Sequence, residues 1–155
     1  MHETTRNDLM KYISLTENHL FSKAYKNGRR IVCRTMAVYV MKDLHEKRLK
    51  KANPLKESIN RVGISASKKI GGAVERNRAK RIIREADRQI DSLYGIRCGM
   101  IIVIAARETA TEVKMQDAMR DLQYALTKLD MLESPPEEDK NKVPDGQSST
   151  DEENI

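Results

Sequence analysis

The chain has no tryptophan, a single phenylalanine (Phe21) and only two cysteines in 155 residues. Cys33 and Cys98 stand far apart with no CxxC partner, which argues against both a disulfide framework and a zinc site and fits a reducing cytoplasm. With so few aromatics, core volume has to come from Ile, Leu, Val and the eight Met. Long hydrophobic runs are missing as well. The longest, MIIVIAA at 100–106, is far short of the roughly 20 residues that cross a bilayer. The opening MHETTRNDLMKYISLTENHLF carries no basic-then-apolar signal pattern, so a soluble cytoplasmic protein without a membrane role is expected. His2, His19 and His45 have no ligand spacing, and no metal site is expected on the protein. Neither GxxxxGK[ST] nor GxGxxG is present, which argues against ATP, NAD or another small-molecule substrate. No Ser/His/Asp or Cys/His set is readable, so no catalytic residues are assigned.

Charge of one sign is plentiful instead. The chain carries +6 overall, but residues 134–155 hold seven acids against Lys140 and Lys142, a net of −5, leaving +11 on residues 1–133. A basic body of that size points to nucleic acid first and to an anionic membrane second. The sequence divides accordingly into a domain over 1–133 and an acidic tail over 134–155, which has almost nothing to bury and is expected to be disordered.

Periodicity supplies the elements. A short helix is predicted after Thr16 as N-cap, ending at Gly28. IVCRTMAVYVMK (31–42) is β-branched and reads as a strand, with RIVCR able to split it in two. The charged stretch 43–58 reads as a long, mobile hairpin connection to a second strand at 59–67, whose alternation sets Val62, Ile64 and Ala66 against Arg61, Gly63 and Ser65. A helix follows over about 72–93. GMIIVIAA (99–106) reads as a strand buried on both faces, and a final helix runs over 109–132, capped near Thr111. The fold class expected is an α/β (α+β) sandwich, a small central sheet with packed helices.

Residues 67–88 contain eight Lys or Arg, and the helical pattern decides what they are for. With Val74 at 0°, Ala79, Ile82, Ile83, Ala86, Ile90 and Leu93 fall between roughly 80° and 180°, while Asn77, Lys80, Arg81, Arg84 and Arg88 spread over roughly 240–340°. A disordered tail or a localisation signal needs no apolar face. This segment has one, so it is predicted to be an ordered helix docked on a core and presenting a nearly pure cationic surface. Like charges so close repel by a few tenths of a kcal/mol per pair, which an anionic partner would relieve. Arginine suits bidentate phosphate contact.

The stretch RVGISASKKIGGAVERNRAKRIIRE (61–85) resembles the signature of the bacterial ribonuclease P protein component. The resemblance rests on Arg61 and Gly63 on a strand, then Lys68, Lys69, Gly71, Ala73 and Val74, then Arg76-Asn77-Arg78 with Lys80, Arg81 and Arg84. In weaker form it extends over roughly 9–130. It implies a left-handed βαβ crossover, against the general right-handed rule. It further implies the protein subunit of the ribonucleoprotein endonuclease that removes the 5′ leader of precursor tRNA, with hydrolysis left to Mg²⁺ held mainly by the RNA subunit. By the same resemblance Lys68, Arg76, Asn77, Arg78, Lys80, Arg81 and Arg84 would bind the catalytic RNA, to which the helix geometry adds Arg88. Phe21, Tyr25, Ala37, Tyr39, Ser65 and Lys69 would bind the single-stranded leader. Two positions depart from the pattern: Cys33, where a polar residue is common, and Asp87, where an aromatic is common. The alternative class is a general structured-RNA-binding or ribosome-associated protein.

Overall fold

The computed structural model describes residues 12–52 and 60–134. In chain order the elements are β1 (Tyr12–Ser14), α1 (Asn18–Asn27), β2 (Arg29–Val32), β3 (Met36–Lys42), α2 (Glu46–Ala52), β4 (Asn60–Ala66), a 3-10 turn (Lys68–Ile70), α3 (Ala73–Tyr94), β5 (Met100–Ala106), a second 3-10 turn (Glu108–Thr111) and α4 (Met115–Lys128). The five strands make one mixed sheet in the order β1-β4-β5-β3-β2. β4 and β5 are parallel neighbours joined through α3, β1 lies parallel to β4, and β3 and β2 are antiparallel to their neighbours.

Helices cover both faces of this sheet, giving the expected sandwich. Met36, Val38, Val40, Val62, Ile102 and Ile104 point to one face, where they meet Ile83, Ala86 and Ile90 of α3 and Ala118, Leu122, Ala125 and Leu126 of α4. Ile101 and Val103 point to the other, under Leu20, Phe21 and Ala24 of α1, with Tyr39 and Met41 beside them. Burial of each such Ile or Leu contributes about 1.5–3 kcal/mol. Ile101 to Ile104 are all buried because β5 sits mid-sheet between the two helical layers, as its unbroken apolar run required.

Several expectations are corrected. The stretch 43–58 is no hairpin connection: β3 and β4 do not pair, because the more apolar β5 lies between them, and Glu46–Ala52 is helical. Residues 53–59 of that stretch, and the tail from 135 to 155, lie outside the described residues. The strand read at 31–42 is two strands in a hairpin, the split that RIVCR allowed. Its turn is held from outside: Asp121 of α4 accepts Thr35 N–H at 3.0 Å and Thr35 Oγ1 at 2.6 Å, and Arg107 donates to the Cys33 carbonyl at 2.8 Å. Thr16 is not the cap of α1. Glu17 occupies that position without a side-chain bond. Gly28 does end the helix, but in extended backbone. A β-carbon there would come within 2.5 Å of the Ala24 carbonyl, so close approach demands the glycine. The last helix is shorter than 109–132. It starts after Lys114, whose N–H is accepted by Asp117 at 3.2 Å, and stops at Lys128; Asp130 then turns back at φ 56°, and Ile96 bridges Leu132. β1 was not foreseen, since three residues are too few to show alternation.

Candidate RNA-binding surfaces

α3 forms where its pattern placed it and buries Ala79, Ile83, Ala86 and Ile90 on the sheet. Leu93 belongs to the same stripe by angle but is 63% exposed. A 22-residue helix is about 33 Å long and the 7-residue strands beneath it about 23 Å, so the helix is longer than the sheet is deep. On the outer side, Arg78, Arg81 and Asn77 are exposed, and Arg76, Lys80 and Arg84 are half-buried along their stems. Among the described residues Arg78, Lys80, Arg81 and Arg84 have no acidic partner within 4 Å. Arg88 differs: its Nη2 and Nε hold Glu85 at 2.5 and 3.1 Å. That pair holds the Arg88 proton still more firmly and leaves less of its charge for a ligand. Lys68 stands exposed on the 3-10 turn just before the helix, extending the surface past its N-terminus.

Asp87, two turns before the helix end, is 2% exposed, with Oδ1 lacking any hydrogen-bond partner, because at 220° it sits on the edge of the buried stripe. Burial first, and the Asp91 charge second, push its carboxyl up to about 7. Asp91 caps the helix end, accepting Ile96 N–H at 2.9 Å. A raised folded value means the native protein keeps a proton that the unfolded chain has lost. Stability attributable to Asp87 is therefore greatest in acid, falls as pH rises from about 4 to about 7, and is level above. Asp87→Asn is expected to stabilise by about 1–3 kcal/mol at pH 8 and by almost nothing near pH 4. Urea unfolding at the two pH values checks this, and an equal change at both would deny that the charge matters.

The other face of the sheet carries the aromatic set. Alternation along β3 turns Ala37 and Tyr39 toward α1, and the register sets Ala37 opposite Ala105 and Tyr39 opposite Val103. On β4, Gly63 and Ser65 continue the same surface opposite Val103 and Ala105. Tyr25, 40% exposed at the rim of α1, packs edge-on to Tyr39 with ring centroids 4.9 Å apart, and its hydroxyl lies 2.8 Å from Ser65 Oγ. Phe21 is 6.4 Å from Tyr25 and rests on Gly63, where a β-carbon would come within 2.4 Å of its ring. Phe21 is thus partly core, with Leu15 and Ala24 as neighbours in its layer, and it positions the tyrosines as well as offering an edge to solvent. Ala37 is buried and serves as floor.

Lys69 is not among these rings. It lines a separate polar depression of ≈ 340 Å³ at the C-terminal ends of β4 and β5, together with Arg34, Ser67, Arg107 and Thr109. Arg107 was not foreseen. The signal was available, since a cation directly after the central strand leaves the sheet at the same end as Lys68 and Lys69. Cys33, one residue before Arg34, is buried, and burial pushes its thiol up to about 12, so it is an inert packing residue.

The family model Ribonuclease P matches residues 9–130 of the chain. The chain belongs to the ribonuclease P protein family. It is 37% identical over 128 residues to the ribonuclease P protein component of Lachnoclostridium phytofermentans, covering 83% of this chain and 97% of that protein. With the Dehalococcoides mccartyi protein component the identity is 42% over 93 residues, covering 60% of this chain and 74% of the other. The solved Staphylococcus aureus RNase P protein superposes with TM-score 0.59 at 28% identity, over 76% of this chain and 95% of that one. The family's function is that of the protein component of an endoribonuclease that processes tRNA 5′ ends. The two surfaces above occupy opposite faces of one sheet.

Proposed function

We propose that α3 lies on the catalytic ribonuclease P RNA through Lys68, Arg76, Asn77, Arg78, Lys80, Arg81 and Arg84, while the cleft between α1 and the sheet holds the single-stranded leader of precursor tRNA. The observation that carries the reading is the pairing of an unopposed cationic helix with an aromatic surface, Tyr25 against Tyr39 beside Ser65, on the far side of the same sheet. An RNA helix offers phosphates to the first, whereas unpaired bases offer faces to Tyr25 and Tyr39, with stacking worth about 1–3 kcal/mol per base. Ser65 and Tyr25 hydroxyls supply hydrogen bonds there, and Lys69, from the separate depression at the C-terminal ends of β4 and β5, supplies backbone neutralisation. Arg88 takes a lesser part than the helix angle gave it, because Glu85 competes for its guanidinium.

The chemistry is assigned to the RNA. Among the described residues there is no group of three or more His, Cys, Asp or Glu placed to hold a metal ion. Two-metal hydrolysis would use ions bound by the RNA subunit, and the protein would lower the repulsion between that RNA and its substrate. No helix among the described residues is long and apolar enough to cross a membrane.

Cleavage of precursor tRNA at low Mg²⁺ tests the proposal, with protein alone, catalytic RNA alone and both together, on substrates with one-nucleotide and ten-nucleotide leaders. Cleavage should need the RNA, be restored by the protein, and gain most on the long leader. Equal rescue of both substrates would remove the cleft from leader binding. Tight RNA binding without rescue would leave α3 as a general structured-RNA surface.

A further inference from the structure

A second cationic surface stands apart from both sites. α2 and the residue ending β3 present Lys42, Lys47, Arg48, Lys50 and Lys51, all exposed and, among the described residues, none within 4 Å of an acid. The acids that would ordinarily balance them are engaged elsewhere. Asp43 is locked on Arg61, and the Glu46 carboxylate is folded over Gly99. The surface is at the N-terminal end of β4 and β5, the opposite end from Lys68 and Lys69, and Asp43 N–H donates to the Gly99 carbonyl at 2.9 Å.

The described chain ends at this same end of the sheet. Ser134 N–H donates to the Tyr94 carbonyl at 3.0 Å and Glu133 N–H to the Gly95 carbonyl at 2.9 Å. From Gly95 to Gly99, where α2 is anchored, is at most about 14 Å of chain. Beyond Ser134 follow 21 residues with seven acids, of which Glu137, Glu138 and Asp139 come within the first five. Five residues of chain reach at most about 17 Å, and 21 residues at most about 70 Å. We infer that the acidic segment 135–155 docks on the cationic surface of α2 in the same molecule.

Tethering makes the contact intramolecular, at an effective concentration in the millimolar range, so weak screened attractions suffice. α3 is the poorer seat. Its nearest exposed cation, Arg88, is held by Glu85, and Asp91 and the negative end of the helix dipole stand between Ser134 and the free arginines. Docking on α2 covers cations that would otherwise gather unrelated RNA, and it leaves the outer face of α3 open. The inference does not depend on which RNA the protein serves.

The test uses the full chain with the seven tail acids changed to Gln or Asn (Glu137, Glu138, Asp139, Asp145, Asp151, Glu152, Glu153), with and without Lys47→Gln, Arg48→Gln, Lys50→Gln and Lys51→Gln. Neutralising the tail should move the backbone amide NMR signals of Glu46–Ala52 and spare Ala73–Tyr94, and the difference should vanish at 1 M salt. Affinity for a 20-nucleotide oligouridine at 50 mM salt should rise about fivefold. In the α2-neutral background the same tail change should alter it less than about 1.5-fold. A purely long-range charge effect would persist there and overturn the inference. So would signals that move along α3 or nowhere. Loss of affinity for the catalytic RNA on neutralising α2, equal with either tail, would make RNA the occupant and equally overturn it.

Discussion

Arg61→Ala is expected to destabilise the fold by about 3–5 kcal/mol, with little direct effect on any RNA-facing group. Arg61 is 7% exposed on β4, and its Nε and Nη2 each lie 2.7 Å from an oxygen of Asp43, itself 4% exposed. Asp43 also accepts His45 N–H at 2.9 Å, and Arg61 Nη1 lies 3.9 Å from Glu17 at the start of α1. One guanidinium therefore ties β4 to the end of β3 and to the entry of α1. Truncation leaves Asp43 buried and unpaired, and that orphaned charge is where most of the cost arises. Burial raises the Asp43 carboxyl, but the hydrogen bonds from Arg61 and His45 outweigh it and hold the group below its ordinary value. A depressed folded value contributes stability that is present above the ordinary carboxylate range and lost as pH falls through the folded value. In Arg61→Ala the slope from this group should flatten or reverse, because burial is then opposed mainly by the bond from His45 N–H. Urea unfolding between pH 3 and 8 reads both effects. Adding Asp43→Ala should recover more than half of the loss, whereas a loss below 1 kcal/mol in the single variant would mean that water replaces the guanidinium.

Arg61 also shows where sequence reading stops. Its alternation with Val62 was legible and correct, and the RxG pattern marked it, but its partner lies eighteen residues back in a stretch that read as a mobile connection. Nothing local announces a pairing between Asp43 and Arg61. α3 was legible because 22 residues give six turns of period, enough to separate a stripe from a cationic face. The same angles misplaced Leu93, since periodicity says which way a side chain points and not whether anything lies beneath it. Strand order was not legible, because β3, β4 and β5 are all apolar and only packing against two helical layers selects the most apolar for the middle. The aromatic cleft was assigned through the family resemblance, and the structure gives it a physical basis in the shared face of Tyr39 and Ser65 beneath Tyr25. Gly63, missing from that assignment, is the seat that lets Phe21 close the layer.

Replacing Arg78, Arg81 and Arg84 together by Gln should weaken binding to the catalytic RNA by about 10²–10³-fold at 0.1 M salt and leave unfolding by urea unchanged. Each neutralised phosphate contributes roughly 0.7–0.9 to the slope of log affinity against log salt, so the slope should become shallower by about 2–3. Stability should hold because none of the three makes an ion pair among the described residues, and their removal relieves like-charge repulsion of a few tenths of a kcal/mol per pair. Arg88→Gln is the contrasting variant. With Glu85 already on its guanidinium, it should cost less than about threefold and change the slope by well under one. Filter binding across 0.05–1 M salt separates the possibilities. A triple variant that loses the same factor at 0.1 and 1 M would have lost shape or base contacts, and α3 would then read RNA by something other than charge. Equal losses for Arg88→Gln and for single substitutions at Arg81 or Arg84 would mean that the Glu85 pair opens on binding. In that event the helix would offer the RNA one more cation than its free form displays.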